Sequence, residues 1–293
     1  MRRRTNVNIA VLSDIHGNDI ALEACLKYME ERDIDAYCFL GDYTGELPGI
    51  EKTMEMLYAL KNEHECYFIR GNKENYQTDG LGQSHPEWDE FPTTVGMLRY
   101  AYEHLTREDI EFFNSLSITE KLSFPGLPDI VVCHGSPRKV NEKLLPDSES
   151  LKEVTDETDA DLIVCGHTHK VMDIMCGNVR VINPGSVGVS IDVPYSYRFL
   201  ILHGQDGKWE PEFISLPADT DRIVSSMREA GLYEIAPYWT RFTELMVKGK
   251  NGPYTHAGFL GLAMNICREE QGECTWPRVP EECFEKAYKK ICE

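Results

Sequence analysis

Seven side chains able to bind metal stand at the ends of five apolar runs. Ile9-Ala10-Val11-Leu12 leads through Ser13 into Asp14-Ile15-His16-Gly17-Asn18, and Tyr37-Cys38-Phe39-Leu40 runs into Gly41-Asp42. Cys66-Tyr67-Phe68-Ile69-Arg70 meets Gly71-Asn72, Ile130-Val131-Val132-Cys133 meets His134-Gly135, and Leu162-Ile163-Val164-Cys165 meets Gly166-His167-Thr168-His169. Each run has the length and apolarity of a buried strand. Each delivers a carboxylate, carboxamide or imidazole to the strand's C-terminal mouth, the edge at which open α/β sheets bind ligands. Gly41, Gly71 and Gly166 precede their ligands, and a glycine there lets the backbone turn sharply. One Asp-x-His triplet carries little information, and one histidine is more often a satisfied core or surface residue. Five strand ends bearing Asp, His, Asp, Asn, His, His and His are an inventory for a metal site, not a core pattern.

Phosphoester hydrolysis is the chemistry such a set suits. The anionic oxygens of a phosphoester repel a nucleophile. Two cations about 3.5–4 Å apart neutralise that charge and hold a hydroxide in line. The site needs one carboxylate able to bridge both ions, with neutral imidazoles and oxygens completing each shell.

The ordered series Asp-x-His, Gly-Asp, Gly-Asn, His-Gly, Gly-His-Thr-His resembles the calcineurin-like metallophosphoesterases over roughly the first two thirds of the chain. Asn183-Pro184-Gly185-Ser186-Val187 is similar to the small bacterial phosphodiesterase branch of that superfamily. The resemblance implies that one metal takes Asp14, His16, Asp42 and His169, and the other Asp42, Asn72, His134 and His167, with Asp42 bridging. Asp14, Asp42, Asn72 and His134 are then the residues closest to the chemistry. Mn, Fe, Zn and Ni all accept mixed imidazole–carboxylate shells, and Mn is favoured here. Many family members read Gly-Asn-His-Asp or Gly-Asn-His-Glu, with the histidine as proton donor to the leaving oxygen; this chain reads Gly71-Asn72-Lys73-Glu74. Lys73 is placed to orient a phosphate or to stand exposed, and at its ordinary pKa it is a poor proton shuttle. Glu74 is expected to support a ligating histidine. Arg138 is placed to clamp a phosphate oxygen or to make a surface ion pair. A helical tail with a Thr-His resembles that of some bacterial members acting on dinucleoside polyphosphates, which implies His256 at the mouth of the site.

Composition sets the outer bounds. A chain of 293 residues can bury a full core. Its net charge of −19 argues against a broad face for long nucleic acid. No apolar run approaches membrane-spanning length. Met1-Arg2-Arg3-Arg4 is followed by too short an apolar stretch for a signal peptide, and a solvated N-terminus is expected. The ten cysteines show no Cys-x-x-Cys spacing, and reduced structural thiols in the cytoplasm are expected. Cys267, Cys274, Cys283 and Cys292 cluster near the C-terminus without an interleaved histidine, which makes a zinc knot the lesser reading.

The elements that must position the ligands follow from periodicity. Strands at 8–12, 36–40 and 66–70 alternate with helices at 19–32 and 49–62, a βαβαβ series of parallel strands. Residues 78–116 break the pattern with a loop, a helix at 93–104 and a second helix capped by Thr106. This insert either overhangs the site or packs on the surface. Strands at 118–124, 129–133 and 162–165, with a helix at 148–157, precede a meander at 171–175, 179–182, 197–202 and 209–215. Two facing mixed sheets with helices outside, a four-layer α/β/β/α sandwich, is what the resemblance implies. Beyond 217 the chain reads as helices at 219–230, 233–246, 255–269 and 280–291. The expected division is a phosphoesterase domain over 1–217 and an α-helical extension over 218–293, with a homodimer contact through the extension.

The reading that follows is a metal-dependent phosphoesterase for small phosphodiesters or dinucleoside polyphosphates. Tyr76, Trp88, Phe91, Tyr100, Tyr102, Tyr238 and Trp239 are the aromatics available to stack on a base. The alternatives are a phosphomonoesterase or protein serine/threonine phosphatase of the same superfamily, and a scaffold that has lost catalysis. The filled ligand set disfavours the scaffold.

Overall fold

The structure is a computed structural model that describes residues 6–80, 82–83, 85–86 and 89–293. In chain order the first elements are β1 (Val7–Leu12), α1 (Asp19–Met29), β2 (Ala36–Phe39), α2 (Ile50–Glu63), β3 (Glu65–Phe68) and α3 (Asn72–Thr78). Then come α4 (Pro92–Glu103), α5 (Arg107–Ser115), β4 (Thr119–Leu122), β5 (Ile130–Cys133), α6 (Glu149–Glu157) and β6 (Leu162–Val164). A meander of β7 (Val171–Cys176), β8 (Val179–Pro184), β9 (Ser196–Gln205) and β10 (Lys208–Pro217) follows. The chain ends in α7 (Thr220–Glu229), α8 (Leu232–Ile235), α9 (Pro237–Val247), α10 (His256–Gln271) and α11 (Glu281–Cys292).

Two five-stranded mixed sheets result, ordered β10-β9-β1-β2-β3 and β4-β5-β6-β8-β7. In the first, β1, β2 and β3 are parallel, and β9 and β10 add antiparallel. In the second, β5, β6 and β8 are parallel, flanked by antiparallel β4 and β7. Strand alternation then builds the layers. Ile9, Val11, Cys38 and Leu202 of one sheet meet Ile130, Val132, Leu162 and Ile182 of the other in a shared core. Ala10, Leu12, Phe39 and Phe199 point the opposite way, onto α1 and α2. Val131, Ile163 and Val181 point onto Leu151 and Val154 of α6. This is the four-layer sandwich, with the parallel strands of both sheets carrying the ligand motifs at their C-terminal ends. The meander expectation needs one amendment: β8 pairs parallel with β6, and β9 leaves for the other sheet.

Local signals set the helix ends. Asn18 accepts from the Ala21 N–H at 3.0 Å, and Thr106 with Asp109 forms a capping box on α5. Ser148, Asp219 and Thr255 cap α6, α7 and α10. The helix expected over 233–246 is broken at Pro237, which cannot donate to the preceding turn. The tail is not a loose appendage. Ile223, Val224, Met227 and Leu232 join the outer core of the first sheet. Phe242, Phe259, Ile266 and Phe284 form a further cluster that also takes in Val189, whose carbonyl faces the His169 ring. The ten cysteines are free thiols, and no helix among the described residues is long and apolar enough to cross a membrane. The basic N-terminal residues 1–4 and Trp88 lie outside the described residues.

Candidate metal centre

The turns that carry the ligands share one backbone conformation. Asp14, His16, Asp42, His167 and His169 all have φ between 54° and 62°, the left-handed region that Asp, Asn and His tolerate best after glycine. Each such residue costs on the order of 1–3 kcal/mol and persists only where its surroundings fix it. Here they do. The Asp14 N–H donates to Gly41 O at 3.1 Å, and the His16 N–H to Asp42 O at 2.9 Å. The Gly166 N–H reaches His134 O at 2.7 Å, and the Gly188 N–H reaches Asp14 O at 2.9 Å. Two glycines before ligands are required by crowding: a Cβ on Gly71 would sit 2.3 Å from Asp42 Oδ1, and one on Gly166 1.9 Å from Ser13 Oγ.

All seven strand-end residues converge. The ligand atoms of Asp14, His16 and His169 lie within 4.8 Å of one another, as do those of Asp14, Asp42 and His134. Asp42 stands between the two groups, with Oδ2 3.7 Å from His16 Nε2 and Oδ1 3.4 Å from His134 Nε2. Asn72 Oδ1 is 3.2 Å from His134 Nε2. The His167 N–H donates to Asp14 Oδ2 at 3.1 Å, and its ring lies 5.2 Å from that of His134.

The donor set fits divalent cations. His134 Nδ1 faces Leu40 O at 2.8 Å, His169 Nδ1 faces Val189 O at 2.6 Å, and His16 Nδ1 lies 2.6 Å from Glu46 Oε2. Each Nδ1 is therefore the protonated nitrogen, and each Nε2 points inward, able to offer a lone pair to a metal once it is deprotonated. His16 Nε2 and His169 Nε2 stand 3.1 Å apart, a separation that requires a proton or a metal ion on at least one of them. Asp14 Oδ1 is fully buried and has no hydrogen-bond partner among the described residues. Such a group of acceptors is stable only around a cation, whether metal ion or proton. The ionisation of the metal-free site agrees. Burial works against charge on His16, yet Glu46, Asp14 and Asp42 outweigh it and push its pKa up to about 10. Asp42 likewise outweighs burial at His134, raising it to about 9. Burial would raise Asp42, but His134 and His16 hold it at about 2. Burial and the neighbouring His134 keep His167 neutral, its pKa lowered to about 4.

Above this floor opens a cavity of about 420 Å³. Its walls come from α3 (Lys73, Tyr76), the insert (Thr94, Met97, Leu98) and the tail (Trp239, His256, Leu260, Trp276). The insert therefore overhangs the site, and two of the stacking candidates, Tyr76 and Trp239, line it. Tyr100 packs on His104 instead, and Tyr238 on Tyr288. His256 lines the cavity, with Nε2 2.8 Å from Thr243 Oγ1 and its ring against Trp239. Burial lowers its pKa to about 3.

Two expectations are corrected. Arg138 does not border the cavity: Glu142, Glu153 and Glu157 surround its guanidinium at 2.8, 2.5 and 3.6 Å, so the surface ion-pair reading holds. Glu74 holds backbone rather than a histidine. Its carboxylate accepts from the N–H groups of Asp42, Tyr43 and Gly71 at 2.8–2.9 Å. Burial and the nearby Asp42 raise its pKa to about 7. Two residues were not singled out by the sequence, and a third was quoted there only as part of a stretch resembling the family. Glu46 links His16 and Lys73; Trp276 faces Tyr76 with centroids 6.5 Å apart; Asn183 donates to Gly166 O at 2.6 Å and steadies the His-Thr-His turn. The proline, glycine and serine that follow Asn183 were the available signal for the last.

Residues 7–207 match the calcineurin-like phosphoesterase superfamily domain, and the chain belongs to that superfamily. An uncharacterised protein of Methanocaldococcus jannaschii is 27% identical over 219 residues, which are 69% of this chain and 85% of that one. Among solved structures, a hypothetical protein of Pyrococcus horikoshii superposes with a TM-score of 0.67 at 22% identity, covering 81% of this chain and 97% of the other. A metallophosphoesterase from Sphaerobacter thermophilus gives a TM-score of 0.60 at 22% identity, covering 77% and 94%. These two likenesses are of fold.

Proposed function

We propose that this protein hydrolyses small phosphodiesters or dinucleoside polyphosphates with two divalent metal ions, Mn favoured, in a reducing compartment such as the cytoplasm. The observation that carries the reading is the convergence of seven ligand side chains beneath a cavity walled by Tyr76, Trp239 and Trp276. Asp14, His16 and His169 would hold one ion, and Asn72, His134 and His167 the other. Asp42 lies between the two groups, one carboxylate oxygen turned to each. Bound there, the ions neutralise phosphate oxygens and make water a competent nucleophile. The protein's part is to orient. Leu40 O, Val189 O and Glu46 set three imidazole tautomers, and Glu74 fixes the backbone of Asp42. The aromatic walls offer faces for a nucleobase. Lys143 and Lys170 border the same cavity and have no ion-pair partner among the described residues, so they suit a substrate with more than one anionic group. A cavity of this size suits a compact ligand.

Purified protein loaded with Mn²⁺ should cleave a chromogenic diester and a dinucleoside polyphosphate faster than a phosphomonoester or a phosphoprotein. Robust monoesterase activity with no diester or polyphosphate cleavage would instead favour the phosphomonoesterase alternative.

A further inference from the structure

Glu46 lies in the turn between β2 and α2 and is buried. A carboxylate in such a place must be paired, and each of its oxygens lies close to a basic nitrogen. Oε2 lies 2.6 Å from His16 Nδ1, and Oε1 lies 2.5 Å from Lys73 Nζ. Lys73 is fixed at its root as well, since its backbone N–H donates to Asp42 Oδ1 at 2.8 Å. An ammonium has three donors. Glu46 takes one, the others meet no acceptor among the described residues, and the side chain borders the cavity beside His16, Asn72 and His256. A lysine held by its counter-ion has already lost the rotamer freedom that a free one would lose on binding substrate. Such a preorganised cation acts on charge as it develops.

We infer that Glu46 is a positioning residue that holds Lys73 as a fixed cation above the metal-binding floor. There Lys73 binds a phosphate oxygen and stabilises the departing group as an anion. This rests on the phosphoesterase reading above and narrows it to phosphoanhydrides and esters whose leaving group departs as a stable anion. A diester anion and water give a monoester monoanion, the leaving-group anion and a proton. The bond from phosphorus to the leaving oxygen breaks with its electron pair going to that oxygen, a bond to the water oxygen forms, and the water proton passes to solvent. No proton from Lys73 is needed. The same carboxylate turns His16 toward Asp14, so one buried residue ties a metal ligand to the substrate clamp.

The test compares the full-length protein, loaded with Mn²⁺, with Lys73→Met, Lys73→Arg and Glu46→Gln. Calorimetry measures the affinity for inorganic phosphate, elemental analysis the Mn content, and an aryl phosphodiester series the dependence of kcat on leaving-group acidity. Lys73→Met should stay folded and bind phosphate about 10- to 100-fold more weakly at unchanged Mn content. Its kcat should fall most for the poorest leaving groups. Lys73→Arg should recover part of the affinity, and Glu46→Gln should lose part. A folded, Mn-loaded Lys73→Met with wild-type phosphate affinity would overturn the clamp, as would a wild type that binds no phosphate. Glu46→Gln with wild-type phosphate affinity per loaded site would overturn the positioning role. The phosphate arm separates this inference from the activity: weaker phosphate binding in Lys73→Met supports the clamp even if no diester is cleaved, and diester cleavage indifferent to Lys73→Met refutes the clamp alone.

Discussion

Loading the metal-free protein with Mn²⁺ should release about two protons per chain at pH 7. In that state His16 and His134 hold protons on nitrogens that must be bare to bind metal, with pKa values near 10 and 9. Each pKa unit above the working pH costs about 1.4 kcal/mol, so clearing His16 costs about 4 kcal/mol and His134 about 3 kcal/mol at pH 7. Both imidazoles are almost fully buried, so solvent does little to screen these costs. The sum is within reach of the binding energy that divalent ions gain from such shells. His167 and His256 are neutral already and contribute nothing to the release. The apparent affinity for each ion should then rise about tenfold per pH unit from pH 7 until its imidazole is clear, near pH 9 for the His134 site and pH 10 for the His16 site. Calorimetric titration in two buffers of unequal ionisation enthalpy gives the proton count directly, because the heats differ by that count times the difference in buffer enthalpy. Heats that do not depend on buffer would refute the reasoning, since the Nε2 atoms would then not be exchanging protons for metal.

The same two histidines set the alkaline behaviour of the metal-free fold. Their folded-state pKa values lie above the usual 6.5, so their stabilisation is complete below about pH 6.5 and is lost as pH rises through 9 and 10; the melting temperature should fall over that range without metal and hold steady with it. Asp42→Asn should lower bound metal and cut kcat by at least about 100-fold, more than the loss typical of residues that merely support a ligand, while the protein stays folded; two bound ions with near-normal turnover would contradict it. Trp239→Leu should raise KM for a dinucleoside polyphosphate by about tenfold, and less for a small diester, in steady-state assays. Phe259→Ala, at a fully buried ring stacked on Phe242 at 4.6 Å, should cost about 3–5 kcal/mol in denaturant unfolding, and no loss would mean that the tail folds apart from the sandwich.

What the sequence made legible was local. An apolar run that ends in a candidate ligand, three times just after a glycine, declares strand, turn and chemistry within six residues, and all five runs became strands of one fold. Long-range pairing was not legible. Glu46 meets His16 and Lys73 across 30 and 27 residues of chain, and nothing near Glu46 marks it as buried. His256 could be placed only by analogy, because its neighbours read as a capped amphipathic helix. Arg138 misled for the opposite reason: its nearness to His134 in sequence drew attention from Glu142 four residues on and from the acidic face of α6. Helix α3 was missed because seven residues are too short to show a period, and Lys73 and Tyr76 owe their place in the cavity wall to it.

The motif spacing itself has a physical origin that composition alone does not reveal. In Asp14-Ile15-His16 and His167-Thr168-His169 both outer residues are left-handed. Ile15, between the first pair, is buried in the core, while both outer side chains reach the metal-ligand cluster. Alternation in a strand would send residues two apart to the same face, but an extended chain would carry the second ligand away from the first. Two left-handed turns fold the chain back so that both ligands reach one point. Asp and His bear that conformation better than most residues, so the backbone and the metal ask for the same side chains. Substitution of a ligand by alanine should then cost twice, once in the lost donor and once in a φ that alanine tolerates poorly. Asn at position 14 or 42 keeps the turn and loses only the charge. The difference in melting temperature between the alanine and asparagine variants of the metal-free protein would isolate the backbone share, and equal values would show that the turns are held entirely by their neighbours.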